Sequence, residues 1–178
     1  VVLEITPVTP SLTSTNTPAY TFSTTEDGAM SFIGGANCGS LTFPSMSAVT
    51  GTTTTNFNTI PDGSYACVLV VSDIYGNQGT ATMTPFTIDT VALPPNVSFT
   101  SPINSLNQTA VSFTGTAEAT STLFYTFYNV LATTTQVTGT TTVDSLGNIN
   151  FNVDLSSLAD GNILGEMFIV DAAGNTSS

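Results

Sequence analysis

The feature that most constrains the fold of this chain is an internal repeat. Residues 61–77 and residues 159–175 align without a gap. Both segments begin near an Asp-Gly pair, continue through an apolar stretch and end on the pattern Asp-x-x-Gly-Asn. Self-similarity at a fixed distance indicates a duplicated structural unit. The chain of 178 residues is therefore predicted to contain two copies of one domain.

The segments between the turn signals favour β-strands. Alternating apolar and polar residues, for example over 65–71, 111–114 and 149–153, are separated by clusters of Gly, Pro, Asn and Thr. A period of two places every second side chain on one face of a strand, whereas no stretch keeps a helical period over three turns. The fold class is predicted to be all-β. The face predicted to be buried carries Tyr65, Cys67, Leu69 and Val71 in the first copy and Ile163, Gly165, Met167 and Ile169 in the second.

Consecutive prolines mark the boundary between the two copies. They lie in the segment 89–95, where they remove backbone hydrogen-bond donors and hold the chain extended. We place the first domain at 1–89 and the second at 90–178. Only a few residues follow the second Asp-x-x-Gly-Asn segment, so the last strand of that domain is expected to be incomplete. Two explanations stay open, an early end of the sequence and a strand donated by a neighbouring subunit.

The charge composition excludes several classes of function. Lys, Arg and His are absent, and the 12 Asp and Glu residues give a net charge of −12. Without cations the chain cannot neutralise phosphates, so nucleic acid is not an expected partner. The absence of His and Lys removes the commonest general base and Schiff-base chemistry, and we expect no enzymatic activity. No apolar run approaches the ~18 residues of a membrane span, so no membrane insertion is expected.

The repeated segment resembles a known family. Tyr65 lies two residues before Cys67 at the start of a late strand, which is the tyrosine-corner arrangement of immunoglobulin strand F. The order of turn, strand, Asp-x-x-Gly-Asn hairpin and terminal Asp-Thr resembles the bacterial immunoglobulin-like repeats of large adhesins. The second copy departs from it at Ile163, which replaces the tyrosine. The matching residues are Ile60, Asp62, Gly63, Tyr65, Asp73, Gly76, Asn77, Phe86, Asp89 and Thr90, with Asp160, Gly161, Asp171, Gly174 and Asn175 in the second copy.

The resemblance implies two tandem immunoglobulin-like Greek-key β-sandwiches at a bacterial cell surface. Such repeats serve mostly as stalks, so we expect a non-catalytic extracellular spacer whose partners are neighbouring repeats or identical subunits. Two alternatives remain, a subunit of an extracellular fibre or pilus assembled by strand donation, and an adhesin module that binds a glycan or a protein. For the adhesin module, Tyr75 in the hairpin after strand F is the candidate ligand-binding residue.

The two cysteines lie in the first domain. A pair within one domain of a secreted chain is expected to form a disulfide, so we predict a bond between Cys38 and Cys67. The alternative is two free buried thiols. No Cys-x-x-Cys spacing indicates redox catalysis or a zinc site.

Three carboxylates suggest a cation site. Strand F runs from the C-terminal pole of an immunoglobulin-like domain to its N-terminal pole, which places Asp62 at the bottom of the first domain and Asp171 at the top of the second. Asp89 lies in the link between them. We hypothesise that these oxygens bind Ca²⁺ at the junction, as in calcium-stiffened adhesin repeats that the chain resembles. The alternative is that Asp62 and Asp160 are turn residues, that Asp73 and Asp171 bond the backbone of their own hairpins, and that no cofactor is required.

Overall fold

The computed structural model describes residues 1–177. The Cα positions divide the chain into unit 1, Val1–Thr90, and unit 2, Val91–Ser178. Both units are built from β-strands, and the described residues contain one 3-10 turn at Cys38–Ser40 and no other helix. The all-β fold class predicted from the sequence is confirmed. Within residues 1–177, no helix has the length and apolar character that crossing a membrane requires.

Unit 1 has the strand order of an immunoglobulin-like sandwich. Its strands are β1 (Val2–Thr6), β2 (Leu12–Thr13), β3 (Ala19–Thr24), β4 (Gly28–Gly34), β5 (Ser47–Ala48), β6 (Gly51–Asn56), β7 (Gly63–Tyr65), β8 (Cys67–Ser72), β9 (Gln78–Thr82) and β10 (Phe86–Ile88). One sheet has the order β1-β3-β6 and the facing sheet has the order β5-β4-β8-β9. In immunoglobulin terms, strands A, B and E lie opposite strands C′, C, F and G.

Unit 1 contains a small third sheet formed by β2, β10 and β7. β10 pairs in parallel with β2 and antiparallel with β7. The strand predicted over 65–71 is interrupted at Ala66, so that strand F consists of β7 and β8. Strand G is divided into β9 and β10 in the same way, with Pro85 between them, because a proline has no backbone donor for a ladder. Because of these interruptions, strand F and strand G each take part in two sheets.

The core of unit 1 is rich in aromatic side chains. The alternation of β3 places Tyr20 and Phe22 inward, with 1% and 0% of their surfaces exposed. Neighbouring rings are stacked, tilted or edge-on, with centroids between 4.6 and 6.2 Å apart, and burial of each such side chain contributes roughly 1.5–3 kcal/mol. The rings are those of Tyr20, Phe22, Phe32, Phe43, Phe57, Tyr65 and Phe86.

Unit 2 repeats this architecture with fewer strands. They are β11 (Asn96–Phe99), β12 (Val111–Thr116), β13 (Thr122–Asn129), β14 (Ala132–Thr142), β15 (Asn148–Val153) and β16 (Ile163–Val170). One sheet has the order β11-β12-β15, which matches β1-β3-β6, and the other has the order β14-β13-β16. β13 and β16 therefore correspond to strands C and F, and the two-copy prediction holds at the level of the fold.

The two units differ at strand F. In unit 1, β8 lies between β4 and β9, whereas in unit 2, β16 is the last strand of its sheet. Among residues 91–177, the open side of β16 carries one isolated bridge, between Val170 and Thr176. The sequence-based expectation of a fully buried face in the second copy is therefore wrong. Ile169 is 0% exposed, but Gly165 is exposed and Met167 is only partly buried, because no strand covers them within the described residues.

Candidate functional site

The start of strand F in unit 1 is fixed by a tyrosine corner. Tyr65 is 2% exposed, and its hydroxyl donates a hydrogen bond of 2.7 Å to the carbonyl oxygen of Pro61. Its ring stacks on Phe86 of β10, with the centroids 5.1 Å apart. One side chain thus joins the turn before strand F to the last strand of the unit. Unit 2 has Ile163 at this position, which supplies apolar contact without the hydroxyl.

A disulfide joins the turn after β4 to strand F. Cys38 begins the 3-10 turn, Cys67 begins β8, and their Cα atoms lie 5.6 Å apart. Gly34 at the end of β4 has a φ of +123°, and a side chain there would approach the carbonyl oxygen of Ala66 to 3.0 Å. The glycine lets the backbone leave β4 close to strand F, which brings Cys38 within reach of Cys67.

The Asp-Gly turn before strand F is held by two polar contacts. The carboxylate of Asp62 accepts hydrogen bonds from the hydroxyl of Thr90 at 2.9 Å and from its backbone amide at 3.1 Å. On the other side, the amide of Asn37 donates to the carbonyl oxygen of Ser64 at 3.1 Å. The carboxylate that the sequence analysis assigned to a cation therefore ties the end of unit 1 to the start of strand F.

Unit 2 braces the equivalent turn with another asparagine. The side-chain amide of Asn129 donates to the carbonyl oxygens of Ala159 and Asp160 at 3.0 and 2.9 Å. A Cβ atom at Gly161, whose φ is +137°, would lie 2.8 Å from the same nitrogen. Neither asparagine contact was predicted from the sequence, because each asparagine is distant in sequence from the turn that it supports.

The same five-residue hairpin turn occurs three times within residues 1–177. In each, the aspartate carboxylate accepts the backbone amide of the asparagine four residues later at 2.7–2.8 Å, and the asparagine side chain donates back to it. The glycine in each turn has a positive φ, between 82° and 90°, which favours glycine. The turns are 73–77, 144–148 and 171–175. The second was missed, although its sequence Asp-Ser-Leu-Gly-Asn carries the same signal.

These turns alter the acidity of their aspartates. The side-chain amide of Asn77, with backbone amides of the turn, holds the pKa of Asp73 below its ordinary value. The backbone amide of Asn148, followed by its side chain, does the same for the pKa of Asp144. Each hydrogen bond favours the charged carboxylate over the protonated form. Asp73 and Asp171 both accept hydrogen bonds within their own hairpins, as the alternative to a cation site predicted.

Each of the three residues assigned to a cation makes hydrogen bonds within its own unit. Asp62 bonds Thr90, and the backbone amide of Asp89 donates to the carbonyl oxygen of Thr13 at 3.0 Å. Asp171 is 7% exposed and closes its turn with Asn175. Within unit 2, carboxylate oxygens of Asp171 and Glu118 lie within 4.8 Å of one another. Glu118 was not predicted from the sequence, because its neighbourhood carries no motif that links it to the turn. The cation site stays a prediction.

Tyr75, the predicted ligand-binding residue, lies at the tip of the turn 73–77. Its side chain is 87% exposed, and that of Ile74 beside it is 92% exposed. The backbone amide of Tyr75 donates to Asp73 at 2.8 Å, so the backbone is fixed while the ring faces solvent. The corresponding turn of unit 2 carries Ala172 and Ala173 instead. The binding role stays a prediction.

A groove whose lining combines apolar side chains with polar atoms, including those of Ser101 and Asn162, opens between the two sheets of unit 2. Its volume is about 730 Å³, and no charged residue lines it. The lining includes Val97 and Phe99 of β11, Phe113 of β12, Phe127 of β13, and Ile163 and Met167 of β16. In unit 1 the matching face of strand F is closed, since Cys67 and Leu69 are 1% and 0% exposed. The groove is thus a region where the core of unit 2 reaches the surface.

Comparison with known proteins gives a family-model match within unit 1. Residues 7–90 match the model of a bacterial Ig-like domain family. Among solved structures, the chain is similar to a tetra-tandem repeat in the extending region of a large adhesion protein, with 23% sequence identity and a TM-score of 0.46. The similarity covers 99% of this chain and 46% of that one, so this chain spans less than half of its relative.

A second solved structure has a weaker similarity. It is dimeric latent PorU from Porphyromonas gingivalis, with 14% identity and a TM-score of 0.31, covering 94% of this chain and 18% of that one. No curated protein matches the chain. The structural similarities are too low to transfer a ligand or an activity.

Proposed function

We propose that the chain, whose residues 7–90 match the model of a bacterial Ig-like domain family, is a pair of structural repeats that act as a non-catalytic spacer in an extracellular protein of a bacterium. The observation that carries the proposal is the duplication itself. Both units have an A-B-E sheet packed against a C-F sheet, and both use the same Asp-x-x-Gly-Asn turn after strand F. A chain that repeats one sandwich adds length with each copy.

The parallel pairing of β2 with β10 supports a role in which unit 1 bears mechanical force. β2 near the start and β10 near the end pair in parallel, with Thr87 opposite Leu12 and Ile88 opposite Thr13. The backbone amide of Thr87 donates to the carbonyl oxygen of Ser11, and that of Asp89 donates to Thr13. When a chain is pulled from both ends, parallel terminal strands slide past each other, so their hydrogen bonds must break together. This geometry resists extension better than a hairpin that opens one bond at a time.

An extracellular location is supported by the disulfide. Cys38 and Cys67 are bonded, and structural disulfides persist in oxidising compartments. The bond closes a loop of 29 residues, for which the loop-entropy relation gives about 3.6 kcal/mol of stabilisation. The tyrosine corner and the bond of Asp62 to Thr90 secure the same end of the unit. Unit 1 is thus held at several points by contacts among its own residues.

The proposal is tested by comparing the chain with each unit alone in small-angle X-ray scattering. A spacer predicts that the maximum dimension of the tandem exceeds that of one unit by about the length of a second unit. A glycan array tests the adhesin alternative, with Tyr75→Ala as the matched variant. Binding by the wild-type chain that Tyr75→Ala abolishes would replace the spacer with a ligand-binding module.

A Ca²⁺ site is a second proposal, favoured by the proximity of Glu118 to Asp171 in unit 2. Two carboxylates this close repel each other, a bound cation would offset that repulsion, and carboxylate oxygens are the ligands that Ca²⁺ prefers. We propose that Asp171 and Glu118 contribute to this site. A Tm that rises on addition of Ca²⁺, returns on addition of EDTA and does not respond in Glu118→Gln supports it. A Tm that is the same with Ca²⁺ and with EDTA contradicts it.

A further inference from the structure

The outer face of the sheet β14-β13-β16 carries a pair of aromatic rings. Leu123 and Ile169 lie opposite each other, are 0% exposed and point into the core of unit 2. Their neighbours along the two strands, Phe124 and Phe168, therefore point outward. The two rings are stacked, with centroids 4.9 Å apart and planes inclined by 3°, and Phe168 remains 40% exposed. Two large apolar rings are thus held side by side at the surface.

Polar groups flank the two rings on the same face. The hydroxyl of Tyr128 donates a hydrogen bond of 2.8 Å to Oε1 of Glu166, which leaves Oε2 outside that bond. Thr138 and Thr140 of β14 lie on the other side of β13, and Thr140 is opposite Phe124. Hydroxyl groups both donate and accept hydrogen bonds, and a carboxylate accepts them. We call this surface the aromatic face; its residues are Phe124, Tyr128, Thr138, Thr140, Glu166 and Phe168.

The fold itself does not require rings at these positions. β13 pairs with β16 in the register in which β4 pairs with β8. In that register the places of the stacked pair are taken in unit 1 by Ser31 and Val70, which lie opposite each other, and the place of Glu166 is taken by Val68. Phe124 and Tyr128 also lie on β13, the central strand of the sheet, so their outward direction does not depend on what lies next to β16. The aromatic face is therefore a property of unit 2 rather than of the sandwich.

We propose that the aromatic face binds a neutral polysaccharide. Each ring of the stacked pair leaves one of its faces uncovered by the other ring, and the C–H groups of a sugar pack against the electron-rich face of an aromatic ring. Sugar hydroxyls donate to the carboxylate of Glu166, and such charge-assisted hydrogen bonds are stronger than neutral ones. The site goes beyond the spacer role and does not rest on it, since a spacer can carry a binding face on one repeat.

The charge of the chain favours an uncharged ligand. Lys, Arg and His are absent, so an acidic polysaccharide would meet Glu166 with no cation to offset the repulsion. A second copy of the chain seated face to face would bury two Glu166 carboxylates in one interface, again without a cation, and burial of unpaired charges is costly. A neutral sugar instead supplies hydroxyl donors to the carboxylate. The aromatic face therefore fits a neutral glycan better than an acidic glycan or a second copy.

Affinity electrophoresis of the whole 178-residue chain tests the proposal. Native gels contain dextran, mannan or mixed-linkage β-glucan as neutral probes, and polygalacturonate as the acidic probe. The ring variant replaces Phe124 and Phe168 by Thr, which suits a strand. Glu166→Gln and Tyr128→Phe keep the shape of the site and remove one polar group each. The matched control is Ile33→Thr, which removes an exposed apolar side chain from the outer face of the equivalent sheet in unit 1. The Tm of every variant is measured alongside.

We expect at least one neutral polysaccharide to retard the chain and polygalacturonate not to do so. The ring variant should weaken binding by about tenfold or more, since two aromatic contacts are lost. Glu166→Gln should weaken binding by about threefold or more. Ile33→Thr should bind as the unchanged chain does. If the Tm shows that the ring variant has not folded, Glu166→Gln and Tyr128→Phe decide the result.

Several results would overturn the proposal while leaving the spacer function intact. One is that no neutral polysaccharide retards the chain, and another is that a folded ring variant is retarded as much as the unchanged chain. Binding that Tyr75→Ala abolishes and the ring variant retains would assign the glycan to the tip of the turn 73–77. A dimer in solution that the ring variant dissociates would make a second copy the occupant of the aromatic face.

Discussion

Tyr65 donates its hydroxyl hydrogen to the carbonyl oxygen of Pro61, four residues earlier, at 2.7 Å. The bond bridges the turn that contains Asp62 and Gly63, and it is made from inside the core, where the tyrosine is 2% exposed. A buried hydroxyl needs a partner, and here the partner is a carbonyl group that the turn leaves without a strand neighbour. The packing of strand F and the shape of the preceding turn are therefore coupled through one side chain.

Removing that hydroxyl should destabilise unit 1. Tyr65→Phe keeps the ring on Phe86 and deletes the hydrogen bond, so we expect a loss of about 1 kcal/mol in the free energy of unfolding. Chemical denaturation measures it. The control is Tyr75→Phe, which removes a hydroxyl from a side chain that is 87% exposed and should leave the stability unchanged. Equal stability of the two variants would contradict the role of the corner.

The glycines of the two Asp-Gly turns should not tolerate a side chain. Gly63 and Gly161 have φ values of +148° and +137°, and a Cβ atom would lie 2.9 and 2.8 Å from the bracing nitrogens of Asn37 and Asn129. Gly63→Ala and Gly161→Ala should each cost about 1–2 kcal/mol in their own unit. Gly39→Ala, where nothing lies within 4 Å of the new atom, is the control. If the two turn variants were as stable as Gly39→Ala, the turns would accept a side chain without loss of stability, which would contradict the prediction.

The thermal stability of the chain should decrease in acid and should change little with pH near neutrality. The pKa values of Asp73 and Asp144 lie below their ordinary range, because hydrogen bonds favour the carboxylates. Such groups stabilise the fold above the unfolded pKa of about 3.9, and this contribution is lost as pH falls through the lower folded value. With no His, little titrates between about pH 5 and 7. Tm measured from pH 7 to 2 should decline below about pH 4, and less steeply in Asp73→Asn. A decline that begins near pH 6 would contradict this account.

The parallel pairing of β2 with β10 should set the mechanical strength of unit 1. Thr87→Pro deletes the amide that donates to Ser11 and should lower the force at which unit 1 unfolds. Thr87→Val retains that amide and loses only the hydroxyl contact with Ser64, so it serves as the control. Single-molecule pulling from the two ends measures both. If the proline variant unfolds at the same force as the valine variant, the pairing does not bear the tension.

The parts of this fold that could be read from the sequence are those encoded locally. Alternation, turn residues and the repeat indicated the sandwich, and the spacing of Tyr65 from Cys67 indicated the corner. Contacts between distant residues could not be read in this way. Asn129 supports a turn whose carbonyl groups lie 30 and 31 residues later in the sequence. Glu118 comes close to Asp171 only once the sheets have packed. The exposed face of β16 depends on a neighbouring strand rather than on its own alternation, so the pattern alone predicted burial.

The central claim, two separate sandwiches that can serve as a spacer, is tested most directly by pulling single molecules with and without reductant. Each chain should unfold in two steps, one per unit. The disulfide of unit 1 locks 29 residues, so reduction should lengthen one step by about 100 Å and leave the other unchanged. A single merged step, or steps that do not respond to reductant, would contradict the account.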